Sequence, residues 1–226
     1  MQLISFLIIL LIILCQVLEV YAYFIKGMNS GIYGRQLVGL ANWIQYVARI
    51  NYVFVLFLIS YSFEVLGVGS HILEVISISF FTSFVISISL IYFKSPRNLI
   101  HKLLYFLIRY TYRDLVKISI NFDKNAIKLS WPMLTSFISS MLLGLAFIMP
   151  FVLAEKYPDY RMMAIYSGQA LNFLASAIIF SMLEPRMYKE LDGNVTEGIV
   201  CSTASGIIAA KSFSQFVMCL LILVVI

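Results

Sequence analysis

The run LISFLIILLIIL, residues 3–14, restricts this chain more than any other feature. It is almost wholly Leu and Ile, and it continues through CQVLEVYAYFIK to residue 26, a length that crosses a bilayer as one helix. The rest of the chain matches it: 62% of all residues are hydrophobic and 12% are charged. A soluble domain carries roughly a quarter charged residues, so this composition points to an integral membrane protein. The alternating polar and apolar pattern of a membrane β-barrel is not found, so the expected fold is all-α.

Six spans are expected, at about 3–24, 37–62, 70–93, 129–154, 162–183 and 199–226, forming one polytopic domain over 1–226. In the fourth, Pro132 suits a first helical turn, while Pro150 is expected to kink or end the helix. The first segment lacks a positive flank, so it is expected to be a retained helix rather than a cleaved signal.

The connections differ in charge. Those at 25–36, 94–128 and 184–198 hold twelve Lys and Arg, against two in the connections 63–69 and 155–161. The positive-inside rule then places the three basic loops in the cytoplasm and both termini outside, in a multi-pass membrane protein. This topological reading of the positive charge argues against nucleic acid as a partner. The stretch 98–118 is too charged to span. As a helix it gathers His101, Lys102, Arg109, Arg113 and Lys117 on one broad face, which suits an amphipathic helix lying on anionic membrane lipids.

Polar residues inside the spans recur at helical spacing. Gln16, Glu19, Tyr23 and Lys26 share a face of the first span, and Asn42, Gln45, Arg49 and Tyr52 share one of the second. Gln169, Asn172 and Ser176 line the fifth, Thr135, Ser136, Ser139 and Ser140 the fourth, and Lys211 and Gln215 the sixth. A charge near the bilayer centre costs at least about 2.5 kcal/mol, so Glu19, Arg49 and Lys211 should face an interior or a water-filled cavity and pair there. Matching stripes on consecutive helices lead to the expectation that Glu19 and Arg49 face each other or a shared ligand. The serines of the fourth span read as helix-packing contacts.

Nothing in the chain resembles a catalytic constellation. There is no P-loop, HExxH or G-x-S-x-G, and His71 and His101 fall on opposite sides of the expected topology. Cys15, Cys201 and Cys219 read as small apolar residues, with no disulfide, metal or cofactor site. The cluster Glu184, Glu190, Asp192 and Glu197 mixes with Arg186 and Lys189 and lacks the spacing of a lipid-phosphate enzyme, and so reads as a charged loop. The expectation from these residues is that the chain is not an enzyme.

Two stretches carry a family resemblance. LEVYAYFIKGMNSGIYGRQLVGLANWIQYVARINYVF (18–54) resembles the opening of the Amj-type lipid II flippases, through Glu19, Ala22-Tyr23, Lys26, Gly31 and Arg49. YPDYRMMAIYSGQALNFLASAIIFSMLEPRMYKELDGNVTEG (157–198) is similar to a later part of that family, with Pro158-x-Tyr160-Arg161, Asn172, Pro185 and an acidic loop. Glu19 stands where the family carries Asp, and Lys211 where its last helix carries a basic group. The resemblance implies translocation of a polyprenyl-diphosphate-linked precursor such as lipid II, for peptidoglycan synthesis. The substrate-binding set would then be Glu19, Tyr23, Lys26, Asn42, Gln45, Arg49, Gln169, Asn172, Lys211 and Gln215. Other readings of the same intramembrane charges are a flippase for another undecaprenyl-linked glycan, or a small-solute or ion transporter.

Overall fold

The protein is described from a computed structural model, over residues 2–27, 34–66, 69–108, 130–192 and 197–225. Within these residues it is a helical bundle without strands. The helices are α1 (Gln2–Lys26), α2 (Gly34–Leu66), α3 (Gly69–Tyr92), α4 (Lys94–Ile108), α5 (Trp131–Lys156), α6 (Arg161–Ile178), α7 (Glu184–Asp192) and α8 (Glu197–Val225). A π-helical turn, Ile179–Leu183, joins α6 to α7. Among the described residues six segments are long and apolar enough to cross a membrane: Leu3–Lys26, Val38–Ser62, His71–Tyr92, Trp131–Ala154, Tyr166–Lys189 and Ser202–Val224.

The bundle has a central group and two flanks. α1, α3, α5 and α8 pack together, with α2 lying mainly along α1 and α6 mainly along α5. α1 is exposed at Leu3, Phe6, Leu10 and Leu14, one stripe at helical spacing, while nearly all of its residues from Leu18 to Lys26 are buried. The apolar stripe suits lipid, and the buried half carries the polar residues. Local signals set the helix ends. Ser130 caps α5 by accepting from the Met133 N–H, with Pro132 in the first turn, where a missing N–H costs nothing.

Three expectations meet the structure here. Of the kink or end expected at Pro150, the end does not occur, since α5 continues to Lys156. Pro150 does leave the Ala146 carbonyl without its helical donor, and Gly168 of α6 lies against that carbonyl and the proline ring. A Cβ at Gly168 would sit 2.7 Å from Ala146 O and 2.7 Å from Pro150 Cγ, so the absent side chain permits the α5–α6 contact. The fifth span does not stop at 183 but runs to Lys189, because the π turn carries the helix through Pro185. Finally, the segment expected as an interfacial helix over 98–118 is helical from Lys94 to Ile108, and Arg109, Arg113 and Lys117 lie outside the described residues. Gly31 and the Asn194 of the acidic loop also lie outside them.

Candidate functional site: a buried ladder of ion pairs

The polar face of α1 organises the site. Ten residues separate Gln16 from Lys26, about 15 Å along the axis, or half of a hydrocarbon core of about 30 Å. Along that length each polar residue of α1 meets a partner from another helix.

At the end of the bundle that carries the α1–α2 connection, Lys26 Nζ lies 2.6 Å from both carboxylate oxygens of Glu184 and donates to Gln45 Oε1 at 3.2 Å. Lys26 is 1% exposed and Glu184 3%. The Tyr23 hydroxyl donates to Glu184 Oε1 at 3.4 Å, and Asn42 Nδ2 donates to the Tyr188 hydroxyl at 2.7 Å. Two helical turns deeper, Lys211 Nζ lies 2.6 Å from Glu19 Oε2 and donates to Ser140 Oγ at 3.4 Å. The Tyr23 ring sits between the two pairs, 5.1 Å from the Lys26 ammonium and 5.3 Å from that of Lys211. Gln215 Nε2 donates to Gln16 Oε1 at 3.2 Å at the deepest level, and Gln215 Oε1 is buried without a partner.

Arg49 is not paired with Glu19. It donates to Ser176 Oγ and lies over the Phe180 ring, 4.9 Å from its centroid. It is close enough to act electrostatically on the Glu19 carboxylate, but Lys211 makes the contact. Of the two arrangements expected, a direct Glu19–Arg49 contact or a shared ligand, the direct contact is not made: Glu19 pairs with Lys211 of α8, while Arg49 reaches Ser176 of α6.

This leaves a charge imbalance. The ladder contains the carboxylates of Glu19 and Glu184 and the cations of Lys26, Lys211 and Arg49. Both lysines are matched. Among the described residues Arg49 has a hydroxyl and a ring but no carboxylate in contact, and its Nε is buried without a partner. The surplus positive charge thus sits between α2 and α6, the two flanking helices.

The π turn sets up this arrangement. In a straight helix, residues eight apart differ by about 80° in direction. Ser176 and Glu184 are eight apart, yet they engage Arg49 and Lys26, neighbours on the same side of the bundle. The extra residue taken up in Ile179–Leu183 makes the spacing act like seven, within about 20° of one face. Tyr188, one further turn along, then reaches Asn42.

Of the residues expected to bind substrate, the structure joins Glu19, Tyr23, Lys26, Gln45, Lys211 and Gln215 in this ladder, with Asn42 and Arg49 at its α2 edge. Gln169 is exposed, and Asn172 has no hydrogen-bond partner among the described residues, so neither joins it. Glu184, Tyr188, Ser140 and Phe180 were not foreseen. Glu184 read as a loop residue because Pro185, Arg186 and Lys189 follow it, although an acidic residue just before a proline also marks a helix start. Ser140, read as packing, contacts Lys211, whereas Thr135 and Ser139 bond to carbonyls of their own helix and Ser136 to the Ile207 carbonyl of α8.

Past the ladder the interior is largely apolar, and buried Asn51 and Ser79 bond there to backbone carbonyls. Tyr52, Phe80 and Phe147 cluster with ring centroids 4.3 and 6.2 Å apart, among buried Ile8, Ile12, Val55 and Ile59. The polar path therefore belongs to the half of the bundle that bears the basic connections. The chain matches no protein-family model, no curated protein and no solved structure.

Proposed function

We propose that the protein is a flippase that moves a polyprenyl-diphosphate-linked cell-wall precursor, of the lipid II kind, across a bacterial cytoplasmic membrane. The observation that carries this reading is Arg49, the unmatched cation placed within a span between two flanking helices. An unmatched charge at that depth costs about 2.5–3.5 kcal/mol, and an anion removes that cost by neutralising it. A diphosphate has the charge and the acceptor oxygens to engage the free Nε and a neighbouring lysine through charge-assisted hydrogen bonds.

Glu19 acts in this scheme as the internal anion of the empty site. It holds Lys211 until the diphosphate arrives, and the incoming phosphate oxygens then take over the ammonium. The polyprenyl tail stays in lipid against the exposed aromatic and aliphatic residues of α2 and α6, including Trp43, Phe57, Phe173 and Phe180. The head loads from the basic-loop side, taken as cytoplasmic, and the Tyr52, Phe80 and Phe147 cluster closes the other side. Opening of that cluster and closure of the ladder complete the cycle, as in other alternating-access carriers.

The test is complementation in a bacterium depleted of its own lipid II flippases, with lipid II in the outer leaflet assayed. The wild-type chain is expected to restore outer-leaflet lipid II, and Arg49→Ala to fail despite normal insertion. Failure of the wild-type protein to restore it overturns the reading. Solute or ion flux through reconstituted protein would in that case favour the small-solute alternative.

A further inference from the structure

A second guanidinium with no matching carboxylate among the described residues lies outside the spans, at the corner between α3 and α4. The third span ends at Tyr92, and α4 begins at Lys94. Arg97, in the first turn of α4, folds back toward the helix start, where its Nε donates to the Phe93 carbonyl at 3.3 Å. The residue is 5% exposed, and its Nη1 atom is buried with no partner. Its guanidinium lies over the Phe24 ring of α1, 6.0 Å from the centroid. Burial pulls its pKa below the ordinary arginine value, and no carboxylate among the described residues offsets that. Lys94 and Lys102 on the same helix are exposed, so Arg97 differs from its basic neighbours.

Three features converge here. The first-turn N–H groups of Lys94 and Ser95 have no helical acceptor, and Pro96 has no N–H to satisfy. Such a helix start favours an anion. The buried Nη1 adds a charged donor that lacks an acceptor. The corner lies within about one helical turn of the span's end, at headgroup depth, since headgroups occupy about 5–7 Å beyond the hydrocarbon on each side. We propose that the α3–α4 corner binds the phosphate of an anionic lipid headgroup, held by Arg97 and the first turn of α4, and that this lipid fixes α4 against Phe24 of α1. The site is separate from the ladder, and the proposal stands whether or not the chain is a flippase.

The experiment uses the full chain in bilayers of phosphatidylcholine, with or without phosphatidylglycerol, and in phosphatidylcholine with inorganic phosphate in the buffer. Thermal unfolding and lipid retention by native mass spectrometry are measured. Wild-type protein is expected to retain phosphatidylglycerol and to unfold at higher temperature with it. Arg97→Gln is expected to weaken that dependence at least about tenfold, the loss of one charge-assisted contact, while Lys102→Gln keeps it. Equal weakening in both variants, or the full effect from inorganic phosphate alone, overturns the proposal. Should Arg97→Gln not fold, Arg97→Lys replaces it, and a wild-type protein that retains no phosphatidylglycerol is sufficient to overturn it.

Discussion

The Lys26–Glu184 pair gives the sharpest test of the ladder. Glu184→Gln removes the negative charge and leaves Lys26 facing Gln45 and a neutral amide in a site where the two original side chains are 1% and 4% exposed. Screening by water is minimal at that burial. Breaking a buried pair from one side costs about 3–5 kcal/mol, because the survivor is left uncompensated. A stranded ammonium escapes by giving up its proton, which at pH 7 costs about 4.6 kcal/mol from an ordinary lysine pKa of about 10.4, so the loss should not exceed that ceiling by much. Replacing both partners with apolar residues, Lys26→Met with Glu184→Leu, removes the stranded charge and should return stability to within about 2 kcal/mol of wild type. With Lys26→Met and Glu184→Leu each costing about 3–5 kcal/mol alone, the coupling in their double-mutant cycle is therefore at least about 4 kcal/mol. Reversible unfolding in detergent at pH 7 provides the measurement. A Glu184→Gln loss below about 1 kcal/mol would refute the reasoning, since that is the behaviour of an exposed pair in a loop.

Lys211→Met should cost about 3–5 kcal/mol for the same reason, and exchanging the pair as Glu19→Lys with Lys211→Glu should recover at least half of that in the same unfolding assay. Gly168→Ala should destabilise by about 1–3 kcal/mol, because the new Cβ meets a backbone carbonyl and a rigid ring, whereas Gly144→Ala should cost less, because it meets only the flexible Met218 side chain. Arg49→Lys should insert and fold normally but lose most transport in the complementation assay, since an ammonium does not reproduce the fork that reaches Ser176 and leaves Nε free. A cysteine replacing the exposed Lys102, in a Cys201→Ser background, should react with an impermeant thiol reagent in inverted vesicles and not in intact cells.

The sequence by itself determined the class of fold. Long apolar runs leave a helical bundle as the solution, because the backbone's polar groups must be satisfied within each span. It also showed which residues of α1 and α2 turn inward, since a 3.6-residue period is a local property. Partner choice was decided only by tertiary structure. Glu19 has three cations within electrostatic reach, Lys211, Arg49 and Lys26, and spacing along one helix says nothing about which of them makes the contact. Glu184 was hidden for a related reason. Its neighbours Pro185, Arg186 and Lys189 look like a loop, and only a π turn packed against the bundle holds them in a continuous helix and turns the carboxylate toward Lys26. Helical periodicity is written in the chain one turn at a time, whereas the matching of buried charges depends on distances between residues as far apart as Glu19 and Lys211, which only the assembled bundle fixes.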